Sequence, residues 1–330
     1  MKKIGNTILE VVRDNLIILI IFSIFLALET FELDYSVYSP GDIISLEERL
    51  DNKIYESSGS FNLTYVSYRK GTIFNLILAK ILPSHDIIKN EEITAKQEDI
   101  IASLKRDDIQ LQQAISNATY ISYKYANKDI KEISENDYVY YIAPEANTEL
   151  KVGDKILTCD NNNVNNYEDI NKCIKSHTND QVKLKVLRNN KELTTNSVVT
   201  SEGIIGMVIT RIFDYEINPN MRYHHEKNES GSSGGLMLSL SMYNSLVEED
   251  ITKGMRIAGT GTIEYDGSVG EIAGVKYKIM GASDKNVDLF IVPRANYEEA
   301  KQVIEENNFN LKLLKASTFD QVLEDLKSLN

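Results

Sequence analysis

An uncharged apolar run near the start of the chain constrains the fold more than any other feature of the sequence. It extends from Leu16 to Leu28 and consists of Leu, Ile, Phe and Ala with a single Ser. A helix that is apolar on every face belongs in a protein core or in a lipid bilayer. The run is short for a bilayer span, which needs about 20 residues, so its length alone leaves both roles open.

The flanking residues favour a membrane anchor over the alternatives. Lys2, Lys3 and Arg13 precede the run, as they would in a secretory signal peptide, but the segment Ala-Leu-Glu at 27–29 lacks the small final residue that a cleavage site requires. A buried core helix is disfavoured because the run begins so near the chain start. We therefore predict an uncleaved single-pass anchor in the cell membrane through residues 16–28. Basic residues before it and acidic residues after it predict a cytoplasmic N-terminus and an extracytoplasmic remainder.

Composition and charge exclude several classes of function. The 330 residues include 36 basic and 49 acidic side chains, and the net charge of −13 repels nucleic-acid phosphates, so we expect no nucleic-acid partner. None of the four histidines stands at a helical spacing that binds metal. Two cysteines, Cys159 and Cys173, are too few for a four-thiolate zinc site. We predict neither a metal nor another cofactor, and whether the two cysteines form a disulfide stays open.

Changes of sequence pattern divide the chain into four parts and predict an α+β fold. Residues 60–68 alternate polar and bulky side chains, as a strand does, and residues 97–126 have the pattern of amphipathic helices. We expect this strand and these helices to belong to the same domain as the C-terminal part, with residues 136–200 inserted between them. The four parts are a cytoplasmic stub with the anchor (1–34), a strand-and-helix region (35–135), a small domain (136–200) and a larger domain (201–330).

Region 136–200 resembles a PDZ domain of the kind that accompanies bacterial proteases. The resemblance rests on the phrase Leu-x-Val-Gly-Asp-x-Ile-Leu at 150–157, a helical segment near 167–170 and a Val-x-Leu-x-Val-x-Arg strand at 182–188. An asparagine run at 161–163 stands where such domains usually have glycine, and asparagine tolerates the same left-handed turn. A small α+β domain without a ligand is the alternative.

The resemblance to PDZ domains implies a peptide-binding groove. Such domains bind an extended peptide as an added strand beside a helix. By analogy, the groove would involve Tyr140, Tyr141 and Ile142.

A turn rich in serine and glycine precedes an apolar segment in the C-terminal part. The turn reads Ser-Gly-Ser-Ser-Gly-Gly at 230–235, and the apolar segment follows at 236–242. Ser233 would then lie at a helix N-terminus, where unpaired backbone N–H groups, including those of Ser233 and Gly234, can stabilise an oxyanion. Taken alone, the turn is more typical of a helix cap.

A second phrase gives this serine a partner. Residues 257–263 predict a strand, Asp266-Gly267 predicts a tight turn, and 269–276 leads into a new helix at Gly274-Val275-Lys276. The two phrases together resemble the Lon-type serine peptidase domain. With the apolar run and the PDZ-like region, the whole chain is similar to the membrane-bound, PDZ-containing Lon-like proteases of Gram-positive bacteria.

The Lon resemblance implies a Ser-Lys dyad and departs from the family at three positions. Ser233 is implied as the nucleophile, Lys276 as its general base, and Thr260 as a residue that orients the lysine amine. Apolar neighbours would lower the pKa of Lys276, and Lys278, two residues further along the helix, would face elsewhere. The departures are Ser232 in place of proline, Gly234 in place of alanine and Ala273 in place of glycine.

We predict an ATP-independent serine endopeptidase, anchored in the membrane, that acts on extracytoplasmic unfolded or extended polypeptides. The sequence contains no G-x-x-x-x-G-K-[S/T] phrase for ATP. A triad that uses His225 is a weaker alternative, since no acidic residue is placed to orient that imidazole. A tethered PDZ adaptor with an inactive protease-like domain and a self-processing enzyme are the alternative functions. The resemblance also implies a hexameric ring.

Overall fold

The computed structural model describes residues 13–93, 99–227 and 229–329. Lys2 and Lys3, on which the predicted cytoplasmic stub partly depends, lie outside these ranges. Helices and strands are mixed along the chain. The helices are α1 (Leu16–Thr30), α2 (Ile73–Ile81), α3 (Asn90–Ile93), α4 (Ile100–Tyr125), α5 (Tyr167–Ser176), α6 (Gly235–Leu246), α7 (Val275–Ser283), α8 (Tyr297–Asn307) and α9 (Phe319–Ser328).

Most strands belong to one of two sheets, and two short strands pair separately. The strands are β1 (Glu32–Ser45), β2 (Leu50–Asp51), β3 (Ser60–Thr72), β4 (Asp86–Lys89), β5 (Asp129–Ile142), β6 (Lys155–Cys159), β7 (Asn162–Asn163), β8 (Gln181–Arg188), β9 (Lys191–Val198), β10 (Met207–Asn218), β11 (Arg222–Tyr223), β12 (Arg256–Gly259), β13 (Leu289–Pro293) and β14 (Lys312–Ala316). Each sheet has six strands, and the sheets are named after the larger and the small domain to which they belong. The large sheet has the order β14-β13-β12-β3-β1-β4, and the small sheet has the order β10-β5-β6-β8-β9, with β7 paired to β6.

The large sheet joins the two ends of the chain. Strand β3, from the N-terminal half, pairs in parallel with β12, with Phe61 opposite Ile257. On its other edge β3 pairs antiparallel with β1. The residues that follow β12 are therefore held beside the strand predicted at 60–68.

The segment that forms the small sheet is inserted between two parts of the domain that contains the large sheet. The chain enters it through β5, directly after α4, and leaves it through β10, and these two strands pair antiparallel along their length. Cys159 on β6 and Cys173 on α5 form a disulfide, which the sequence had left undecided.

Strand β10 occupies one edge of β5 at the predicted peptide groove. Tyr141 and Ile142 already pair with Val208 and Met207 of β10, and the hydroxyl of Tyr140 is hydrogen-bonded to the side chain of Gln110 on α4. Strand addition on this side of Tyr140, Tyr141 and Ile142 is thus blocked by β10. The sequence alone did not show that β10 follows as an outer strand, and the outer position of the sheet belongs to β10. Tyr140 lines the cavity between α4 and β10, and a groove that involves Tyr140, Tyr141 and Ile142 stays a prediction.

The apolar run predicted as an anchor is helical. Helix α1 has 15 residues and no buried side chain, and the ring of Phe25 packs edge-on against Phe74 of α2. Across residues 13–93, 99–227 and 229–329, no helix combines the length and the apolar character needed to cross a membrane.

Helix α6 lies at the centre of the main hydrophobic core. All of its residues from Gly235 to Leu246 are buried, and they pack with side chains from α4, α9 and the large sheet. A second core lies between α7, α8 and β13, and includes Val275, Ile279 and Phe290. The two cores fix the start of α6 and the inner face of α7 relative to one another, since both pack on the same sheet.

Candidate active site

The turn before α6 places Ser233 at the end of a buried helix. The backbone carbonyl of Ser233 accepts hydrogen bonds from the N–H of Gly261 at 2.8 Å and from the hydroxyl of Thr260 at 3.0 Å. Both donors follow directly after β12. The turn is therefore tied to the large sheet, and the side chain of Ser233 faces an open cleft.

Lys278 is the basic group that the fold brings to Ser233. Its Nζ lies 2.8 Å from Ser233 Oγ and 2.8 Å from Thr260 Oγ1. Lys278 is only 3% exposed and Thr260 is fully buried. Burial disfavours the charged ammonium and lowers the pKa of Lys278 to about 7. A substantial fraction of Lys278 is therefore the neutral amine near neutral pH.

The hydrogen bonds of Thr260 determine how this amine is oriented. Its hydroxyl proton goes to the carbonyl of Ser233, so the hydroxyl oxygen is left to accept an N–H from Lys278. In the neutral amine, the nitrogen lone pair can then accept the proton of the Ser233 hydroxyl. The predicted role of Thr260 in orienting a lysine is matched by this contact, although the lysine is Lys278.

Lys276, the sequence-predicted partner, does not contact Ser233, and this prediction was wrong. Lys276 Nζ forms an ion pair with Asp86 at 2.7 Å, and its side chain is 34% exposed. Two positions along a helix are separated by about 200°, so only one of the two lysines can face the serine. The sequence-based prediction assigned the buried and the exposed faces of α7 in reverse.

The inward face of α7 can be read from its apolar residues. Val275, Ile279 and Ala282 are fully buried, and they recur at positions i, i+4 and i+7. Lys278 stands three residues after Val275 and four before Ala282, which puts it on the same stripe. This periodicity was the sequence signal that distinguishes Lys278 from Lys276.

Contacts on the outer side hold α7 in this rotation. Asp86, next to β1 on strand β4, accepts hydrogen bonds from Lys276 at 2.7 Å and from the hydroxyl of Tyr277 at 2.6 Å. Burial alone would raise the pKa of Asp86, but these two hydrogen bonds keep it below its ordinary value. A Cβ on Gly281 would lie 2.7 Å from the carbonyl oxygen of Gly41, so glycine permits the close approach of α7 to β1.

Two backbone N–H groups beside the serine hydroxyl are available to an oxyanion. In the ranges that the structure describes, neither the Ser233 N–H nor the Gly234 N–H donates a hydrogen bond to protein. Gly235 and Leu236 do donate, to Ser232 and Gly261. The predicted pair of oxyanion donors at Ser233 and Gly234 is therefore unpaired at the start of α6, where the helix dipole also favours negative charge.

The cleft in front of Ser233 is large enough for a peptide. Its volume is about 870 Å³, in the range of ligand pockets. Leu63 to Val66 of β3 form one wall, α4 forms another, and residues 271–273 lie before α7. His225 is exposed and contacts the carbonyl of its neighbour Glu226, so the alternative triad gains no support from its position.

One cluster elsewhere has the residue types of a metal site. Asp160, Cys173 and His177 place ligand atoms within 4.8 Å of one another. The sulfur of Cys173 is bonded to Cys159, however, and a disulfide sulfur lacks the thiolate that binds metal. His177 and Asp160 are paired with each other at 2.7 Å. The cluster is thus better described as a disulfide beside a histidine–aspartate contact.

Two regions of the chain match known protein families. Residues 226–328 match the Lon protease (S16) C-terminal proteolytic domain, and residues 129–199 match the PDZ domain. The first region contains Ser233, Thr260 and Lys278. The second contains β5 through β9.

Curated relatives match over the same kind of segment. A Lon protease of Campylobacter jejuni subsp. jejuni is 27% identical over 135 residues, which are 38% of this chain and 17% of that protein. A mitochondrial Lon protease homolog of Phaeodactylum tricornutum is 30% identical over 96 residues, 29% of this chain and 11% of that protein. A Lon protease of Aster yellows witches'-broom phytoplasma is 24% identical over 98 residues, 30% of this chain and 12% of that protein.

These matches concern a domain and not a whole protein. The aligned segments span less than a fifth of each of these relatives. The chain contains a Lon-type proteolytic domain and a PDZ domain, and both the domain match and the relatives' names support a serine protease.

Proposed function

We propose that this chain is an ATP-independent serine endopeptidase in which Ser233 is the nucleophile and Lys278 is the general base. The observation that carries the proposal is the contact between a buried lysine amine and the Ser233 hydroxyl at 2.8 Å. Burial lowers the pKa of Lys278 to about 7, which suits a base that works near neutral pH. The open cleft and the two unpaired N–H groups supply room and stabilisation for a peptide carbonyl.

The reaction follows from the positions of these groups. The neutral amine of Lys278 takes the hydroxyl proton of Ser233 while Oγ attacks the carbonyl carbon of the substrate. The N–H groups of Ser233 and Gly234 stabilise the oxyanion, and Thr260 Oγ1 accepts from the lysine ammonium. Lys278 then gives its proton to the leaving amine, and an acyl-enzyme remains. Water, deprotonated by the same lysine, releases the acyl group and restores Ser233.

The class of substrate follows from what the chain lacks in its sequence. It contains no G-x-x-x-x-G-K-[S/T] phrase that would bind ATP phosphates, so the energy for unfolding a substrate has to come from elsewhere. Polypeptides that are already unfolded or extended are the substrates we propose, with the PDZ domain binding peptide segments. Assembly into a hexameric ring remains an expectation from the resemblance.

A serine-directed phosphonate should label the wild-type chain at Ser233. The proposed oxyanion donors and lysine activate this hydroxyl alone, so peptide mass spectrometry should find the adduct on Ser233 and not on the neighbouring Ser232. The same preparation should cleave an unfolded protein without ATP. A chain that binds peptides but takes no label and cleaves nothing would favour the adaptor alternative instead.

We also propose that α1 anchors the chain and that the catalytic region lies outside the cytoplasm. The helix presents apolar side chains to its surroundings, and Arg13 precedes it while acidic residues follow it. A disulfide between Cys159 and Cys173 fits an oxidising compartment. The exposed large apolar residues of α1 are Leu16, Ile17, Ile18, Leu19, Ile20, Ile21, Phe22, Ile24, Phe25 and Leu26.

Membrane association can be measured on the full chain expressed in bacterial cells. We expect the wild type to stay with the membranes through an alkaline carbonate wash and to be digested by protease added to spheroplasts. Leu19→Asp combined with Ile20→Asp should release it, because charges at the centre of an apolar helix cost about 3 kcal/mol each. The matched control replaces the same two residues with valine. Wild-type chain recovered in the wash would contradict the anchor.

A further inference from the structure

The catalytic cleft continues into a second cavity. This cavity has a volume of about 340 Å³ and lies between α4 and the start of β10. It shares Gln110, Ala114, Ser232 and Thr262 with the cleft in front of Ser233. Ser232 is the residue next to the proposed nucleophile. The two spaces therefore meet beside the site of the proposed cleavage.

The far wall of this second cavity is the outer strand of the small sheet. Val208, Ile209 and Thr210 of β10 line it. Further along the strand, α4 covers the same edge, since Gln113 donates to the carbonyl of Arg211 at 3.4 Å and Ser116 donates to the carbonyl of Phe213 at 2.8 Å. The outer edge of β10 is therefore covered by α4 at Arg211 and Phe213, and it faces open space at Val208, Ile209 and Thr210, where the strand lines the cavity.

Backbone alternation identifies the group that faces the cavity. Arg211 and Phe213 direct their carbonyls away from β5, whereas the carbonyl of Ile212 lies on the β5 side, where it accepts from Asn136 at 3.3 Å. The pairing with β5 is regular from Ile209 to Asp214. In an antiparallel ladder the outward positions alternate, so Ile209 directs its N–H and C=O to the same edge as Arg211.

We propose that a substrate extends from Ser233 into this second cavity and pairs there as an added strand with β10 at Ile209. The edge of the PDZ sheet then acts as a distant subsite of the cleft, and the ligand is an extended segment of the same polypeptide that is cleaved. This inference rests on the proposed peptidase function. It assigns to β10 the strand pairing that the sequence had assigned to Tyr140, Tyr141 and Ile142.

The side chains around the cavity suit a peptide backbone. Gln110, Gln113 and Asn117 of α4 line the wall that faces β10, and each donates one amide N–H within the protein, to the Tyr140 hydroxyl, the Arg211 carbonyl and the Ile263 carbonyl respectively. A primary amide carries a second N–H and a carbonyl oxygen, which are the groups that can bind a peptide backbone. The hydrogen bond between Gln110 and the hydroxyl of Tyr140 joins that wall to the small sheet. The two walls are thereby held apart at a fixed position, which is what a strand inserted between them requires.

The test compares two peptides that contain the same cleaved bond. The short peptide fills only the positions next to Ser233, and the long peptide extends by about six residues on each side. The wild type should cleave the long peptide with a kcat/KM about tenfold higher, as two additional backbone hydrogen bonds would give. A long peptide that carries N-methyl groups outside the short core should lose this advantage.

A pair of matched variants locates the effect on the enzyme. Val208 and Ile204 are 50% and 49% exposed, and only Val208 lines the cavity. Val208→Trp should fill the entrance and raise the KM for the long peptide about tenfold, with kcat and the short peptide unaffected. Ile204→Trp should change neither the KM for the long peptide nor the cleavage of the short peptide.

Three outcomes overturn the inference, and they differ from failure of the proposed function. Equal kcat/KM for both peptides in the wild type would show that the second cavity is not a subsite. Loss of the long-peptide advantage in Ile204→Trp but not in Val208→Trp would place peptide binding elsewhere on the PDZ domain. A long-peptide advantage that stays unchanged in both variants would exclude strand pairing with β10. Absence of any wild-type cleavage of the short peptide would instead contradict the peptidase itself, and the subsite with it.

Discussion

Replacing Lys278 with methionine is expected to lower peptide turnover by a factor of about a thousand, while Lys276→Met keeps it within about threefold of the wild type. General-base catalysis contributes about 10²–10⁴-fold, and Lys278 is the amine in contact with the Ser233 hydroxyl. Lys276 is paired with Asp86 on the other side of α7. The comparison requires kcat/KM for one peptide with each purified variant.

The pH dependence of the wild type adds an independent check. Only the neutral amine can accept a proton, so kcat/KM should rise with pH and reach half of its maximum near the pKa of Lys278, which burial lowers to about 7. Lys276→Met should keep this midpoint. A loss of activity in Lys276→Met as large as that in Lys278→Met would contradict the assignment, as would a wild-type profile that rises only above pH 9.

The sequence was sufficient to find the elements that make the site, because each has a local signal. Glycines and serines before an apolar segment predicted the turn at Ser233, and the phrase around Gly274 predicted the start of α7. The lysine was assigned incorrectly because two lysines stand two positions apart in that phrase. Choosing between them needs the buried face of α7, which the spacing of Val275, Ile279 and Ala282 indicates and which packing against β13 confirms. The contact that holds the opposite face comes from Asp86, 190 positions from Lys276 in the sequence, and no local pattern predicts it.

The strand edge that is open to a peptide was not predicted, for a related reason. Tyr140, Tyr141 and Ile142 form a strand, as their residue types indicate, but the availability of a strand edge depends on what pairs with it. Strand β10 follows some sixty residues later and occupies that edge. The order of strands in a sheet is a property of the whole topology. Local patterns predicted which residues form strands and did not predict which strand is outermost.

Lys278→Met should also make the folded protein more stable, in contrast to its effect on turnover. The pKa of Lys278 falls from 10.5 in the unfolded chain to about 7 in the folded one, which corresponds to a cost on the order of 5 kcal/mol for burying the charged form. Methionine has a similar length and carries no charge. It leaves Ser233 and Thr260 without one hydrogen bond each, about 1 kcal/mol apiece, so we expect a net gain of about 2 to 3 kcal/mol in the free energy of unfolding near pH 6.5.

The sign of the pH dependence distinguishes this cause from a general improvement in packing. Between pH 7 and 10.5 the unfolded wild type binds one more proton at this lysine than the folded wild type, so wild-type stability rises with pH through this interval. The cost of burial is fully present below pH 7 and decreases above it. The advantage of Lys278→Met should therefore shrink by about 3 kcal/mol between pH 6.5 and 9.5, as measured by denaturant unfolding at both pH values.

Lys276→Met, which removes a partly exposed ion pair, should stay within about 1 kcal/mol of the wild type at both pH values. If Lys278→Met is less stable than the wild type at pH 6.5, or if its advantage is the same at pH 9.5, then Lys278 is not a buried amine with a lowered pKa, and its assignment as the general base loses its physical basis.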